Sequence, residues 1–338
     1  MTYAAANIDG TQAAVFMYHR FGEDKFPSTN IRIDQFEAHL KYLAKNQFHV
    51  LPLSKIVRAL NNNEPLPDRT IAITIDDAYR SVYTTAFPLF RKYNFPFTVF
   101  VSAEAVDKKL SAFMTWEQLR EMQEYGAEYG NHSYSHTHLI ETRSGESTSE
   151  WKKGIIEDIQ FNQNIMIDES VNPINFFAYP YGEYNLELAE LVNDLGYVGF
   201  GQQSGVISEQ SDRRILPRYA MAEKYAALNE FQTKSVTLPM PVKSALPWNP
   251  VLSDNNPPTL SIELGENTDI QLKSLRCYAS QQGQIDVQWS NLNKNKFITQ
   301  ATSPFISRRN RYNCTALSNL TGRYYWYSHL WILKSITE

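Results

Sequence analysis

The run Thr70-Ile71-Ala72-Ile73-Thr74-Ile75 leads directly into Asp76-Asp77, and this junction limits the possible folds more than any other segment. Apolar and β-branched throughout, the run has no polar face to offer water. It therefore reads as a strand covered on both sides, as in a parallel sheet. Two acids at the carboxyl end of such a strand lie where open α/β sheets and barrels gather their active sites. An Asp pair at that position also serves simply to cap the following helix, so by itself it does not decide the function.

Similar signals recur along the first two thirds of the chain. Ala13-Ala14-Val15-Phe16-Met17-Tyr18 reads as a first strand that delivers His19 to the same carboxyl-end rim. Residues 33–43 carry apolar side chains at helical spacing, 48–53 and 97–101 read as strands, and 81–93 as a helix. Thr115 is a helix N-cap, with Gln118 three residues on. Strands are expected at 174–179, 197–201 and 214–221, with helices near 147–167 and 185–195. About eight β/α units imply a barrel, distorted or incompletely closed.

Glu128-Tyr129-Gly130-Asn131 forms a further short strand, followed by His132-Ser133-Tyr134-Ser135-His136. Two histidines and one carboxylate match the three-ligand, open-position pattern of a catalytic divalent metal. A zincin is disfavoured, because Ser133 stands where that motif needs its glutamate.

Taken together, these motifs resemble the polysaccharide deacetylases of carbohydrate esterase family 4, which share the NodB homology domain. The family's Thr-Phe-Asp-Asp-Gly stands here as residues 74–78, its His-Ser/Thr-x-x-His as residues 132–136, and its Arg-x-Pro-Tyr as Ala178-Tyr179-Pro180-Tyr181. The resemblance covers about the first two thirds of the chain. It implies a distorted (β/α) barrel of the NodB type in which Asp76 is the catalytic base and Asp77, His132 and His136 hold the metal. It also implies that the Tyr181 backbone N–H helps bind the oxyanion. Zinc is the first choice of ion, and the same ligands also suit cobalt, nickel and manganese. The implied reaction is metal-dependent removal of acetyl groups from a polysaccharide, foremost N-deacetylation of an N-acetylglucosamine glycan. Two alternatives stay open: an O-acetyl esterase acting on a xylan-type polymer, and a carbohydrate-binding protein with a decayed site.

Departures from the family pattern matter as much as the matches. Ala78 replaces the usual glycine, which asks for a backbone conformation that a Cβ tolerates. Ala178 replaces the arginine that pairs with the catalytic aspartate in many relatives, and Arg218, in Ile215-Leu216-Pro217-Arg218-Tyr219, is expected to take that role. The family's late general-acid histidine is missing after Arg218. His19 is the candidate acid, as in a permuted subgroup that includes deacetylases of poly-β-1,6-N-acetylglucosamine; His138 is the second candidate. Tyr79, Tyr134, Tyr184 and Trp116 are placed to line a sugar groove, together with Pro180.

At 338 residues the chain is long enough for two domains, and a hydrophobic content of 43% supplies real cores. Residues 1–231 are read as the catalytic domain. Residues 232–258, with prolines at 239, 241, 247, 250, 257 and 258, are read as a linker or wrapping segment. Residues 259–338 are read as a small β-sandwich. Its two cysteines, Cys277 and Cys314, are expected to pair, stapling a unit of about 80 residues and implying an oxidising compartment. Its aromatics, Tyr324-Tyr325-Trp326-Tyr327 and Trp331, are read as core before sugar-stacking surface. A net charge of -4 leaves no basic footprint for nucleic acid. No apolar stretch approaches a membrane span, and the given start, Met1 to Ala6, carries neither basic leader nor apolar core. The expected partner is an acetylated polysaccharide or oligosaccharide and the expected location secreted, periplasmic or cell-envelope associated; oligomeric state is not legible.

Overall fold

In a computed structural model of the chain, residues 10–266, 269–290 and 295–336 are described. The opening Met1 to Ala6 lies outside them. The run read above as a doubly covered strand is one: every residue of Thr70–Asp76 is buried. It lies inside a nine-stranded sheet built from β1 (Gln12–Tyr18), β2 (His49–Val50), β3 (Thr70–Asp76), β4 (Thr98–Val101), β5 (Glu128–Asn131), β6 (Pro173–Ala178), β7 (Val198–Phe200), β8 (Val206–Ser208) and β9 (Tyr219–Ala220).

The path through the sheet is β8-β1-β3-β4-β5-β6-β7, with β9 on β1 and β2 on β3. All of these pairings are parallel except β8 with β1. The sheet curls without closing, so the fold is a distorted half-barrel. Its strands end together at one rim, and β1, β3 and β5 deliver His19, Asp76-Asp77 and His132 there. The strand expected at 214–221 shrinks to Tyr219–Ala220 plus a single bridge from Leu216 to Phe200. Pro217 breaks it, having no N–H to give a ladder.

Two sheets follow, antiparallel apart from one short parallel pairing of Leu238 and Pro239 with Tyr325 and Trp326. One has the order β10-β18-β17-β13-β14 and the other β11-β12-β16-β15. Their members are β10 (Leu238–Pro239), β11 (Val242–Leu246), β12 (Thr259–Leu264), β13 (Ile270–Ala279), β14 (Gly283–Ile285), β15 (Val287–Trp289), β16 (Lys296–Gln300), β17 (Arg309–Ser318) and β18 (Tyr324–Ile332). The inner faces share one core, with Leu260, Ile262 and Phe297 from one sheet against Cys277, Tyr312 and Trp331 from the other. Cys277 and Cys314 stand opposite each other on β13 and β17 and are joined by a disulfide. The proline-rich stretch supplies β10 and β11, so it is woven into both sheets.

The outer face of the five-stranded sheet is also covered. Leu330 and Ile332 pack with Leu188, Val192 and Tyr197 of the half-barrel, and Trp326 packs against Tyr219. The aromatic run therefore splits by strand alternation: Tyr325 and Trp331 face the sandwich core, Trp326 faces the half-barrel, and Tyr324 is exposed. Among the described residues, no helix is long and apolar enough to cross a membrane.

Candidate active site

At the end of β3 the backbone turns sharply. Asp77 and Ala78 adopt φ of 75° and 60°. Ala78 thus takes the left-handed conformation that a glycine would favour, which corrects the expectation of a conformation comfortable for a Cβ. The strain costs about 1 kcal/mol and is held by packing, since Ala78 is fully buried and its carbonyl accepts from the Met114 N–H at 3.0 Å. This turn points the two adjacent carboxylates in different directions.

Asp76 faces Arg218. The guanidinium donates to both carboxylate oxygens, at 2.7 and 2.8 Å, and also to Gly201 O at 2.9 Å; both side chains are wholly buried. Burial pushes the Asp76 carboxyl up, but Arg218, His132 and His19 outweigh it and hold the group below its ordinary value. The arginine missing at residue 178 is replaced in space from residue 218. His19 Nε2 lies 3.9 Å from Asp76 Oδ2. Burial lowers the His19 pKa against the pull of Asp77 and Asp76, so the resting imidazole is neutral.

Asp77 faces the histidines. Its Oδ1 is 3.2 Å from His132 Nε2 and 3.1 Å from His136 Nε2, and the ligand atoms of all three lie within 4.8 Å of one another. The other nitrogen of His132, Nδ1, is 2.7 Å from Ala178 O. A carbonyl can only accept, so Nδ1 carries the proton and the Nε2 lone pair of the neutral ring points at Asp77. Asp77 Oδ1 is buried and has no hydrogen-bond partner. Acceptor atoms facing each other in this way need a positive charge between them, and the set fits a divalent cation. Burial disfavours a charged His132, yet Asp77 and Asp76 outweigh this and raise its pKa, which is the same demand for positive charge.

The loop carrying the histidines is shaped by residues that no sequence motif marked. Asp158, on the helix Thr148–Asp168, accepts the N–H groups of Tyr134 and Ser135 at 3.0 and 3.1 Å. Asn131 accepts the Ser133 N–H at 2.9 Å, and Asn162 ties Val101, Ala103 and Asn131 together. These bonds hold Ser133 and His136 at positive φ.

A cleft of about 100 Å³ opens beside the triad, bordered by Asp77, Tyr79, Phe113, Tyr134, Ser135 and His136. Tyr79 stacks under the Arg20 guanidinium at 3.4 Å, and burial, with Asp77 nearby, pushes its phenol up to about 12. Tyr181 has φ 58° and ψ 2°, and its ring lies 4.7 Å from His136 and 4.0 Å from His138, stacked on the latter. His138 Nδ1 bonds Glu183 at 2.9 Å, and Glu183 is closed by Arg308 at 2.6 and 2.9 Å. Pro180 is buried under this turn. Tyr184 departs from the groove expectation: it is buried between Tyr179 and Trp248 and borders a different cavity. The 3₁₀ turn Pro180–Gly182 just before it sets this inward placement. Trp116 is likewise buried, within the half-barrel core.

Residues 63–200 match the family described as polysaccharide deacetylase. The match takes in the segment that carries Asp76, Asp77, His132, His136 and Tyr181. His19 and Arg218 lie outside the matched segment and join the site only in space. Among relatives, the Bacillus subtilis (strain 168) protein YxkH is 26% identical over 197 residues, covering 58% of this chain and 64% of its own. The poly-beta-1,6-N-acetyl-D-glucosamine N-deacetylase of Escherichia coli K12 is 24% identical over 245 residues, 62% of this chain and 36% of that protein. The chain thus spans less than two thirds of the length of either relative. Solved structures share the fold. The Streptococcus pyogenes deacetylase PplD, in complex with acetate, superposes with a TM-score of 0.60 at 19% identity, covering 67% of this chain and 99% of that one. IcaB from Ammonifex degensii gives 0.57 at 23% identity, covering 68% and 98%.

Proposed function

We propose that the chain hydrolyses acetyl groups from a polysaccharide in a metal-dependent reaction, with N-acetylglucosamine glycans as the first substrate class. The observation that carries this reading is the pair of neighbouring carboxylates with opposite surroundings. Asp77 lacks a counter-charge and faces two imidazoles, while Asp76 is held ionised by Arg218 beside it. One is suited to hold a cation and the other to accept a proton. The poly-beta-1,6-N-acetyl-D-glucosamine N-deacetylase among the relatives supports the substrate class.

In this reading Asp77, His132 and His136 hold the ion, with zinc first from the donor set. When bound, such an ion polarises an acetyl carbonyl and lowers the pKa of water toward about 7. Asp76 takes the proton of the attacking water, which requires an ionised carboxylate, and Arg218 keeps it so. His19, neutral at rest and 3.9 Å from Asp76, receives a proton and passes it to the departing amine as the C–N bond breaks. The backbone of the Pro180–Gly182 turn offers the Tyr181 N–H to the oxyanion, a contribution of about 3 kcal/mol for a well-placed donor. Tyr79, Tyr134 and the buried Pro180 shape the groove for the sugar.

The division into a catalytic part, 1–231, a wrapping segment, 232–258, and an accessory β-sandwich, 259–338, belongs to the same proposal. So does an extracytoplasmic location, which the disulfide favours. The test is acetate release from β-1,4 and β-1,6 N-acetylglucosamine oligomers and from acetylated xylan, using metal-stripped and zinc-restored protein with Asp76→Asn as control. Release from the glucosamine oligomers that is lost on stripping and in the variant is expected. Release from xylan alone would move the reading to an O-acetyl esterase, and no release with zinc bound would refute the substrate class.

A further inference from the structure

His138 stands beside the site, yet the hydrolytic reading leaves it without a task. Among the described residues, Glu183 is the only carboxylate within 4.0 Å of it, with Nδ1 at 2.9 Å from Oε2. Glu183 is paired with Arg308 through bonds of 2.6 and 2.9 Å and so carries its charge. An ionised carboxylate only accepts, so the Nδ1 proton points at it and the orientation of the imidazole is set. Tyr181 lies on the face of that imidazole, with centroids 4.0 Å apart and planes 13° from parallel. The φ of Tyr181, 58°, is left-handed, a conformation that a residue with a Cβ keeps only when its surroundings hold it. The same tyrosine ring meets His136 at 4.7 Å and the Arg309 guanidinium at 5.5 Å.

The anchor of His138 comes from the other part of the molecule. Arg308 stands just before β17, and its side chain is 5% exposed. Besides Glu183 it donates to Glu141 at 2.6 Å. The Glu141 N–H in turn donates to His138 O at 2.9 Å, and Lys334, just after β18, donates to Ile140 O at 2.9 Å. Leu139 and Ile140 are buried in one cluster with Leu330 and Ile332 of β18. The β-sandwich thus holds residues 138–141 by charge, by backbone bonds and by apolar packing. A buried guanidinium shared by carboxylates of two loops sets their direction as well as their distance, because its donors form a rigid fork.

We propose that His138 is a positioning residue through which the β-sandwich sets the geometry of the reaction. Arg308 fixes Glu183, Glu183 fixes the His138 ring, and that ring holds Tyr181 in the turn that presents its N–H to the oxyanion. On the hydrolytic reading, which this role presupposes, the β-sandwich takes part in catalysis. The role asks of His138 only a stacking face and a bond to Glu183, and both are present; proton delivery stays with His19, 3.9 Å from Asp76.

A positioning role and an acid role differ in the substrates they serve. The nitrogen of an amide must be protonated to leave, whereas the phenolate of an aryl ester leaves unaided; an oxyanion forms in both. The test measures kcat and KM of the zinc-loaded full chain on β-1,6 N-acetylglucosamine oligomers and on para-nitrophenyl acetate. His138→Ala should lower kcat about tenfold on both, a fraction of what outright loss of an oxyanion donor costs, with KM changed less than about twofold. His138→Phe keeps the stacking face and gives up the bond to Glu183, so its kcat should lie between those of the alanine variant and the wild type. Glu183→Gln combined with Arg308→Met removes the anchor as a pair and should lower kcat on both substrates about threefold. Loss on the oligomers with the ester spared overturns the proposal in favour of proton transfer by His138. Unchanged kcat on both substrates overturns it as well, and so does a fall in melting temperature without the kinetic pattern, which would assign His138 to structure alone. A wild-type chain inactive on both substrates refutes the hydrolytic reading, and this role with it.

Discussion

Asp77 and Glu183 are both carboxylates nearly sealed from water, 7% and 1% exposed, and both meet histidine, yet one is complete and the other is not. Glu183 receives Arg308 through two bonds, Arg309 at 3.2 Å and His138 at 2.9 Å. Asp77 Oδ1 meets only two imidazole nitrogens, neither in hydrogen-bonding geometry. A buried charge closed by counter-charges is a structural fastening. A buried charge without them marks where a cation belongs. Glu183 fastens two parts of the molecule, since Arg308 comes from the β-sandwich while His138, which it steadies, stacks on Tyr181 beside His136. The β-sandwich therefore supports the rim of the site.

If the contrast is right, substitutions at the two carboxylates separate activity from stability. Asp77→Ala should lower acetate release by at least about a thousandfold, roughly 4 kcal/mol of barrier, and leave the melting temperature unchanged or higher. A fall in melting temperature with activity retained would place Asp77 among the fastenings instead. Arg308→Ala should do the reverse in emphasis. It strands Glu183 without its main counter-charge and should cost about 3–5 kcal/mol in urea unfolding, while the pair Glu183→Gln with Arg308→Met should recover much of that. Equal losses in the single and paired variants would mean that Arg308 acts through packing alone.

The pH dependence of stability sharpens the same contrast. Burial pushes the Glu183 carboxyl up, but Arg308 and His138 override it, and its folded pKa lies below the ordinary glutamate value. A depressed carboxylate stabilises the fold above its unfolded pKa and loses that contribution as pH falls through the folded value. Stability should therefore decline on the acid side of the ordinary carboxylate range, and Glu183→Gln should flatten the decline. An unchanged acid limb in that variant would remove Glu183 from the explanation. The smallest effect is expected at the Asp77–Ala78 turn. Ala78→Gly relieves about 1 kcal/mol of left-handed strain but gives up a buried methyl of about 0.8 kcal/mol and frees the unfolded chain. The net change should stay within about 1 kcal/mol by thermal melting, and a larger one would mean that the turn is held differently.

Much of the site was readable along the chain because strands of a parallel sheet end at one rim. An apolar run closed by Asp76-Asp77, a short strand before His132 and a first strand before His19 suffice to bring those groups together. Arg218 was readable by a missing charge: a buried carboxylate needs a cation, and residue 178 does not supply one. What stayed hidden depends on contacts with no periodic signature. Glu183 and Arg308 are 125 residues apart, and nothing local links them. Asp158 looks like any polar residue of an exposed helix face until the histidine loop folds onto it. The placement of Tyr184 hangs on the turn before it, and Ala78 shows that a glycine-favouring φ can be held by an alanine when burial on all sides supports it.

The most direct measurement is a calorimetric titration of metal-stripped protein with zinc, on the wild-type chain and on Asp77→Ala. One ion per chain, bound with release of heat in the wild type and lost in the variant, is the expected result. No binding to the wild type, or equal binding to both, would contradict the assignment of Asp77, His132 and His136 as the cation site.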